Sequence, residues 1–164
     1  MLCGFDTNNA SNEMMREQLH LLREYANGHD IIISSRTSIS RYLHSFEGVL
    51  IDALLGSGTQ GAPRTHLHTF IREMNANPSP ILSLDVPSGL DCLSGEIQDP
   101  CIQATWTFNF HIPKTSQFSA EARQVINELW TADTDLSYTM WNRAHIGVKS
   151  LQTLYNSAPI SRLY

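Results

Sequence analysis

Two segments of the sequence share one pattern: a short aliphatic run, an aspartate, and then a loop that is rich in glycine. The first is LIDALLGSGTQGAPR, residues 50–64, and the second is ILSLDVPSGLDCLSG, residues 81–95. A short aliphatic run that is closed by turn residues is typical of a strand buried in a sheet. The repeated pattern therefore predicts two buried strands, which end at Asp52 and Asp85.

The remainder of the chain alternates further strand patterns with helical ones. Strands are predicted at residues 1–5, 30–34, 48–54, 80–85, 104–110 and 127–133. Helices are predicted from Ser11 or Asn12 to Gly28, over 64–75 with Pro63 at the first helical position, and over 119–126. The second helix is expected to bury Leu67, Phe70, Ile71 and Met74, and the core is expected to include Trp106, Phe108 and Trp130. The last strand is the weakest of these predictions, and no structure is predicted after residue 135.

This alternation predicts an α/β layered fold, because strands separated by helices pair in parallel through right-handed crossovers. We expect one domain over residues 1–135, followed by a segment, 136–164, whose structure the pattern does not predict. Ligands of such sheets bind beyond the carboxyl ends of the strands. Asp52 and Asp85 are therefore expected to face one crevice.

Composition excludes several classes of function. The 164 residues carry a net charge of −5 and no basic run, which excludes nucleic acid as a partner. No apolar run is long enough to span a membrane. The three cysteines form no C-x-x-C pair, the histidines lack zinc-ligand spacing, and residues 1–9 do not form a secretory signal. We expect a protein of the cytoplasm.

The two loops suggest binding chemistry. Gly56, Gly58 and Gly61 let the backbone approach a ligand closely, and converging amides there would bind a phosphate, although a plain turn explains them equally well. Two neighbouring carboxylates repel each other unless one is protonated or a cation bridges them, and a hard cation suits the oxygens of Asp52 and Ser88. A serine or an aspartate in such a loop also closes its own turn, and Asp91 fits that interpretation. Lys114 either reaches the crevice or lies on the surface.

Three linked motifs, LIDALLGSGTQGAPR, ILSLDVPSGLDCLSGEI and ATWTFNFHIPK, resemble in order and spacing the YjeF N-terminal domain family, the NAD(P)H-hydrate epimerases. The resemblance implies a Rossmann-like three-layer sandwich with a mostly parallel sheet. It also implies an epimerase that interconverts the R and S forms of hydrated NADH and NADPH, and that therefore acts in nicotinamide nucleotide repair. A homodimer and a functional link to an NAD(P)HX dehydratase are implied as well.

The resemblance also assigns site residues. Asp52 and Ser88 would bind a potassium ion. Asp85 would contact the hydrated nicotinamide and is the first candidate for proton transfer, with Asp91 the second. The substrate dinucleotide would lie along one loop, formed by Gly56, Ser57, Gly58, Thr59, Gln60, Gly61 and Ala62.

The sequence departs from the family before residue 31. The family's asparagine- and glycine-rich phosphate loop has no counterpart, since Asp6 to Ser11 has paired asparagines without the glycines. We therefore expect the usual first strand to be missing. One alternative is a catalytically silent module of the same family that binds a nucleotide or a protein partner. The other is an unrelated hydrolase or phosphotransfer enzyme, but the sequence has neither a G-x-S-x-G elbow nor a Walker loop.

Overall fold

The computed structural model describes residues 2–4, 13–26, 32–34, 42–110, 112–134 and 160–164. The chain divides into two compact units, Met1–Phe46 and Glu47–Tyr164. The domain boundary that the sequence predicts, between residues 135 and 136, lies outside the described residues and stays a prediction.

The first unit contains two strands and a helix. Strand β1 (Leu2–Gly4) pairs in parallel with β2 (Ile32–Ser34), and helix α1 (Glu13–Ala26) lies between them in the chain. Glu13 in the first turn of α1 and Arg23 in the last turn suit the helix dipole. The predictions of two strands and a helix are confirmed, whereas the predicted helix cap and the glycine stop lie outside the described residues.

The second unit is built on a five-stranded sheet in the order β3-β4-β5-β6-β7. Its strands are β3 (Leu50–Asp52), β4 (Ile81–Leu84), β5 (Ala104–Phe110), β6 (Ile126–Ala132) and β7 (Ile160–Arg162). Strands β3 to β6 pair in parallel, and β7 pairs antiparallel with β6. The predicted α/β fold with a mostly parallel sheet is confirmed.

Helix α2 (Thr65–Ala76) connects β3 to β4 and buries the four predicted residues, Leu67, Phe70, Ile71 and Met74. The prediction that Pro63 occupies the first helical position was wrong. Arg64 is the N-cap and keeps an extended backbone, with φ −64° and ψ 146°, so the first helical residue is Thr65. The carbonyl of Pro63 lies 2.9 Å from Nε2 of His68.

The prediction of a helix over residues 119–126 was wrong, because within that range only Ala122–Gln124 forms a 3-10 helix; another 3-10 helix, Thr115–Phe118, precedes it. Ser119 is extended between them, and its hydroxyl accepts a hydrogen bond from the amide of Ala122 at 3.0 Å. Ile126 already belongs to β6, where it pairs with Ala104. The last parallel strand, which the sequence predicts only weakly, has seven residues.

A compact apolar cluster lies beside β6. Its buried members are Leu90, Cys101, Ala122, Val125, Ile126 and Leu129. Leu163 and Tyr164, which follow β7, pack against this cluster. The amide of Leu163 donates to the carbonyl of Leu129 at 2.8 Å. No helix within the described ranges is long and apolar enough to cross a membrane.

The buried face of β5 is the polar one, which corrects the expectation that Trp106 and Phe108 form the core. Thr107 and Asn109 are fully buried, whereas Trp106 and Phe108 are only partly buried. Trp130 on β6 is also partly buried. The side chains of β5 alternate as the sequence predicts, but the inner face carries Thr107 and Asn109 and not the aromatic residues.

Candidate functional site

The two aspartates of the repeated pattern lie at the carboxyl ends of neighbouring strands. Asp52 is the last residue of β3, and Ser83 on β4 is its partner in the parallel ladder. Asp85 follows directly after β4, which ends at Leu84. Both aspartates therefore lie at the same edge of the sheet, as the sequence predicts.

Asp52 is fully buried and accepts four hydrogen bonds. Its Oδ2 accepts from the hydroxyl of Ser83 at 2.9 Å and from the amide of Ser88 at 2.8 Å. Its Oδ1 accepts from the hydroxyl of Ser88 at 2.6 Å and from the amide of Leu54 at 3.3 Å. Burial raises the pKa of Asp52 above its usual value, and these hydrogen bonds oppose that rise.

Ser88 joins the two loops that follow β3 and β4. Its hydroxyl donates to Asp52 and accepts from the amide of Leu55 at 3.0 Å, and its carbonyl accepts from the amide of Ile102 at 2.9 Å. The next residue, Gly89, has φ +105°, and a Cβ placed there would lie 2.5 Å from the carbonyl oxygen of Pro100. Glycine is therefore required at this turn.

The glycine-rich loop after β3 has half of its amides occupied within the protein. The amides of residues 55, 57 and 61 donate to side chains of the second loop, namely those of Ser88, Asp85 and Asp91. The amide of Thr59 donates to the carbonyl of Gly56 at 3.1 Å. Within the described part of the chain, the amides of Gly56, Gly58, Gln60 and Ala62 donate to no acceptor. Only these alternate amides are available to a ligand.

Asp91 caps its own turn, which is the alternative interpretation that the sequence left open. Its Oδ1 accepts from the amides of Leu93 at 2.8 Å and Ser94 at 3.0 Å. Its Oδ2 accepts from the amide of Gly61 at 3.1 Å. These hydrogen bonds, with that from Ser94 the largest contribution, lower the pKa of Asp91 to about 2. Asp91 therefore holds the two loops together as an ionised carboxylate.

Asp85 is held by its main chain and keeps its carboxylate partly exposed. It adopts a positive φ of 72°, which is uncommon for a residue other than glycine. Its amide donates to the carbonyl of Phe108 at 2.8 Å, and its carbonyl accepts from Nε2 of Gln117 at 2.9 Å. Its side chain is 22% exposed, and its Oδ2 accepts from the amide of Ser57 at 2.9 Å.

The carboxylate of Asp85 forms an ion pair with Lys114, through Oδ1 and Nζ. Burial alone would raise the pKa of Asp85, but the hydrogen bonds from Lys114 and Ser57 outweigh it and lower the pKa. Lys114 thus reaches the crevice, which is one of the two possibilities that the sequence left open. Its side chain is also 22% exposed.

Two polar residues near this ion pair were not recognised from the sequence. Asn109 accepts from Nζ of Lys114 at 2.6 Å and donates to the hydroxyl of Thr131 at 3.3 Å. Gln117 accepts from the amide of Lys114 at 2.8 Å while it donates to the carbonyl of Asp85. The alternation of side chains along β5 was the sequence signal that could have identified Asn109 as an inward-facing residue. Gln117 carried none, because its partners are a lysine amide and a carbonyl 32 residues away.

A potassium ion at Asp52 and Ser88 is chemically consistent with this structure. The donors are oxygens, and Asp52 has no cationic side chain within ion-pair distance among the described residues. However, each carboxylate oxygen of Asp52 already accepts two hydrogen bonds. A cation there would displace at least one of them, and the bond from Leu54 is the longest at 3.3 Å.

Comparison with known proteins identifies the family. A family model described as YjeF-related protein N-terminus matches residues 3–116. The chain belongs to this family. Among curated proteins it is similar to the NAD(P)H-hydrate epimerase of Dehalogenimonas lykanthroporepellens, with 32% identity over 115 residues, which are 70% of this chain and 44% of that protein.

Bifunctional members of the family are also similar to this YjeF_N chain. The bifunctional NAD(P)H-hydrate repair enzyme of Leishmania braziliensis is 34% identical over 102 residues, which are 62% of this chain and 18% of that enzyme. The repair enzyme Nnr of Pyrobaculum aerophilum is 40% identical over 81 residues, which are 49% of this chain and 16% of that enzyme. The chain thus spans less than half of the epimerase and less than a fifth of each repair enzyme.

The fold of this YjeF_N chain resembles a solved structure, the crystal structure of yeast ynu0, YNL200c. The TM-score is 0.72 at 18% identity, and the match covers 99% of this chain and 65% of the yeast chain. At this identity the match supports the fold alone. All residues of the site from Asp52 to Lys114 lie inside the range that the family model matches, and Gln117 lies one residue beyond it.

Proposed function

We propose that this YjeF_N chain is an epimerase that interconverts the R and S forms of hydrated NADH and NADPH in nicotinamide nucleotide repair. Curated relatives that are named NAD(P)H-hydrate epimerase and NAD(P)H-hydrate repair enzyme support this proposal. Inversion at the hydrated carbon requires a bond to that carbon to break and form again, with proton transfer. The site must therefore offer an acid–base group that is held in position and is accessible to the substrate.

The observation that carries the proposal is the number of free acceptor positions on the three carboxylates of the site. An ionised carboxylate has about four such positions. Asp52 has all four occupied and is fully buried, and Asp91 accepts from three backbone amides and from the hydroxyl of Ser94. Asp85 accepts from Lys114 and from the amide and hydroxyl of Ser57, which leaves it the one free position among the three carboxylates. Asp85 is therefore the carboxylate best able to exchange a proton with a substrate.

The glycine-rich loop beside Asp85 is proposed to bind the dinucleotide. Its members are Gly56, Ser57, Gly58, Thr59, Gln60, Gly61 and Ala62. The four amides that donate to nothing within the described residues are suited to phosphate oxygens. The ion pair with Lys114 and the amide of Ser57 hold Asp85 next to this loop.

Potassium is proposed as the cofactor of this site, bound at Asp52 and Ser88. A buried negative charge is costly unless it is paired, and one monovalent cation would balance the single charge of the buried carboxylate of Asp52. When bound, potassium would supply charge compensation for Asp52. The residues of this chain would still hold and move the protons.

The proposal includes two partners and a compartment. The S product would be the substrate of an NAD(P)HX dehydratase, in agreement with the bifunctional names of two relatives. A homodimer is proposed, and light scattering at increasing protein concentration would test it. Buried free cysteines, Cys92 and Cys101, suit a reducing compartment such as the cytoplasm.

The test is R-to-S conversion of hydrated NADH, followed by chromatography, for the wild-type chain and two variants. Asp85→Asn should keep its fold and lose about 10²- to 10⁴-fold in rate. Asp91→Asn is the matched control and should lose far less, because Asp91 holds the two loops by accepting backbone amides and is not proposed to transfer a proton. Measurable nucleotide binding without conversion by the wild type would support the silent binding module instead. Full activity of Asp85→Asn would refute the assignment of Asp85.

A further inference from the structure

We propose that Lys114 is a second catalytic residue, which donates the proton to the oxygen that leaves the hydrated carbon, while Asp85 acts as the base. This inference rests on the proposed epimerase function. It assigns a role to a residue that resemblance to the family left without one.

The first argument is the position of the ammonium group. Nζ of Lys114 contacts Oδ1 of Asp85, whose other oxygen is held by the amide of Ser57. Among the basic side chains of the described residues, Lys114 is the one that contacts Asp85. General acid catalysis requires hydrogen-bond contact between the acid and the substrate, and a substrate that contacts Asp85 lies within reach of Lys114.

The second argument is that Lys114 is held in place, which a solvated surface lysine is not. Its Nζ donates to the fully buried Asn109 at 2.6 Å, and its amide donates to Oε1 of Gln117 at 2.8 Å. Gln117, also fully buried, donates in turn to the carbonyl of Asp85. An ordinary surface ion pair contributes little and costs side-chain entropy, so two buried amides devoted to one pair indicate a fixed geometry.

The third argument is the remaining hydrogen-bonding capacity of the ammonium. A lysine ammonium has three protons to donate. Two are accounted for by Asp85 and Asn109, which leaves one for a substrate. The side chain is 22% exposed, so a ligand in the crevice can reach it.

The reaction balances with these two groups. Water adds to an enamine with its oxygen on the carbon next to nitrogen, so the carbon that inverts carries a hydroxyl and is bonded to the ring nitrogen. Lys114 gives a proton to that hydroxyl, the C–O bond breaks and water leaves with the electron pair, and the nitrogen lone pair forms a C=N bond. The ring then turns so that the other face of this carbon meets the same ion pair, water adds to that face, and Asp85 takes its proton. The proton returns to the amine of Lys114 through Oδ1, and no oxidant or reductant is required.

Replacing Lys114 with arginine distinguishes two roles of the side chain, that of a proton donor and that of a fixed positive charge. A guanidinium retains the charge beside Asp85 but does not release a proton in a protein. If Lys114 is the acid, Lys114→Arg and Lys114→Ala should each lower the R-to-S rate by about 10²-fold or more. Added methylamine should restore part of the rate of Lys114→Ala, and should not restore that of Asp85→Asn.

The control is Arg72→Gln, which removes a charge from an exposed ion pair with Asp99 and should keep the wild-type rate. Thermal melts establish whether each variant is folded. If Lys114→Ala is unfolded, the rate of Lys114→Arg tests the proposal. Wild-type activity in Lys114→Arg would overturn the proposal and leave Lys114 as an electrostatic partner of Asp85. If the wild-type chain does not convert the R form to the S form, the proposed epimerase function is refuted. Failure of that function is thus distinguishable from failure of the role proposed for Lys114.

Discussion

Replacing Ser88 with alanine should destabilise the second unit by about 2.5–5 kcal/mol, because one hydroxyl joins two loops. The hydroxyl donates to the buried carboxylate of Asp52 at 2.6 Å, and a hydrogen bond to a charged group contributes about 1.5–3 kcal/mol. It also accepts from the amide of Leu55 at 3.0 Å, and a buried amide left without an acceptor costs about 1–3 kcal/mol. Leu55 is only partly buried, so water can reach its amide in part, and the lower half of that second range applies.

The assay is urea unfolding followed by tryptophan fluorescence, in buffer without potassium so that cation binding does not contribute. Ser94→Ala is the matched control, because both partners of its hydroxyl, the amide of Glu96 at 3.2 Å and the carboxylate of Asp91, are exposed. We expect the midpoint of Ser88→Ala to fall with an unchanged slope, and that of Ser94→Ala to move little. A loss below about 0.5 kcal/mol for Ser88→Ala would show that water replaces both hydrogen bonds and would refute the reasoning.

Three further predictions follow from the same loops. Gly89→Ala should cost at least about 2 kcal/mol, because its Cβ would lie 2.5 Å from a carbonyl oxygen at φ +105°, whereas Gly58→Ala has open space. Equal unfolding midpoints would contradict this. Asp91 has its pKa lowered to about 2, so its contribution to stability is complete above its unfolded value of about 4 and is lost as the pH falls through about 2. Asp91→Asn should therefore flatten the acid limb of the stability profile, and a limb as steep as that of the wild type would exclude the effect. Potassium should raise the melting temperature above that in choline, and Asp52→Asn should abolish the difference. Identical wild-type curves in both salts would argue against the cation site.

The placement of the two aspartates at the strand ends was predictable because it depends on local patterns. An aliphatic run that ends in an aspartate fixes where a parallel strand ends, and sheets of this class bind ligands at that edge. The same reasoning identified Asp52 and Asp85 on adjacent strands, β3 and β4.

The cap that Asp91 forms on its own turn is local and was open to prediction. The hydrogen bonds that join the two loops at the three aspartates were not predictable, because their donors lie far away in the chain. Asp52 is satisfied by a serine 36 residues later, and Asp85 by an amide 28 residues earlier. Asp91 takes the amide of Gly61, which is 30 residues earlier. The number of hydrogen bonds at each carboxylate is set by how the two loops meet, and no local spacing encodes that.

The support of the site extends beyond the residues that the family model matches. That match ends at residue 116, but Gln117, which holds the carbonyl of Asp85, belongs to a 3-10 helix anchored by Tyr164. The hydroxyl of Tyr164 donates to the carbonyl of Gln117 at 2.7 Å, across 47 residues, and its ring packs edge-on against Phe118. The antiparallel β7 brings this tyrosine beside β6, where the amide of Leu129 donates to its carbonyl at 3.1 Å. A segment that adds no group to the crevice therefore helps to fix the backbone of the residue proposed to act there as the base, because a short 3-10 helix has too few hydrogen bonds of its own to do so.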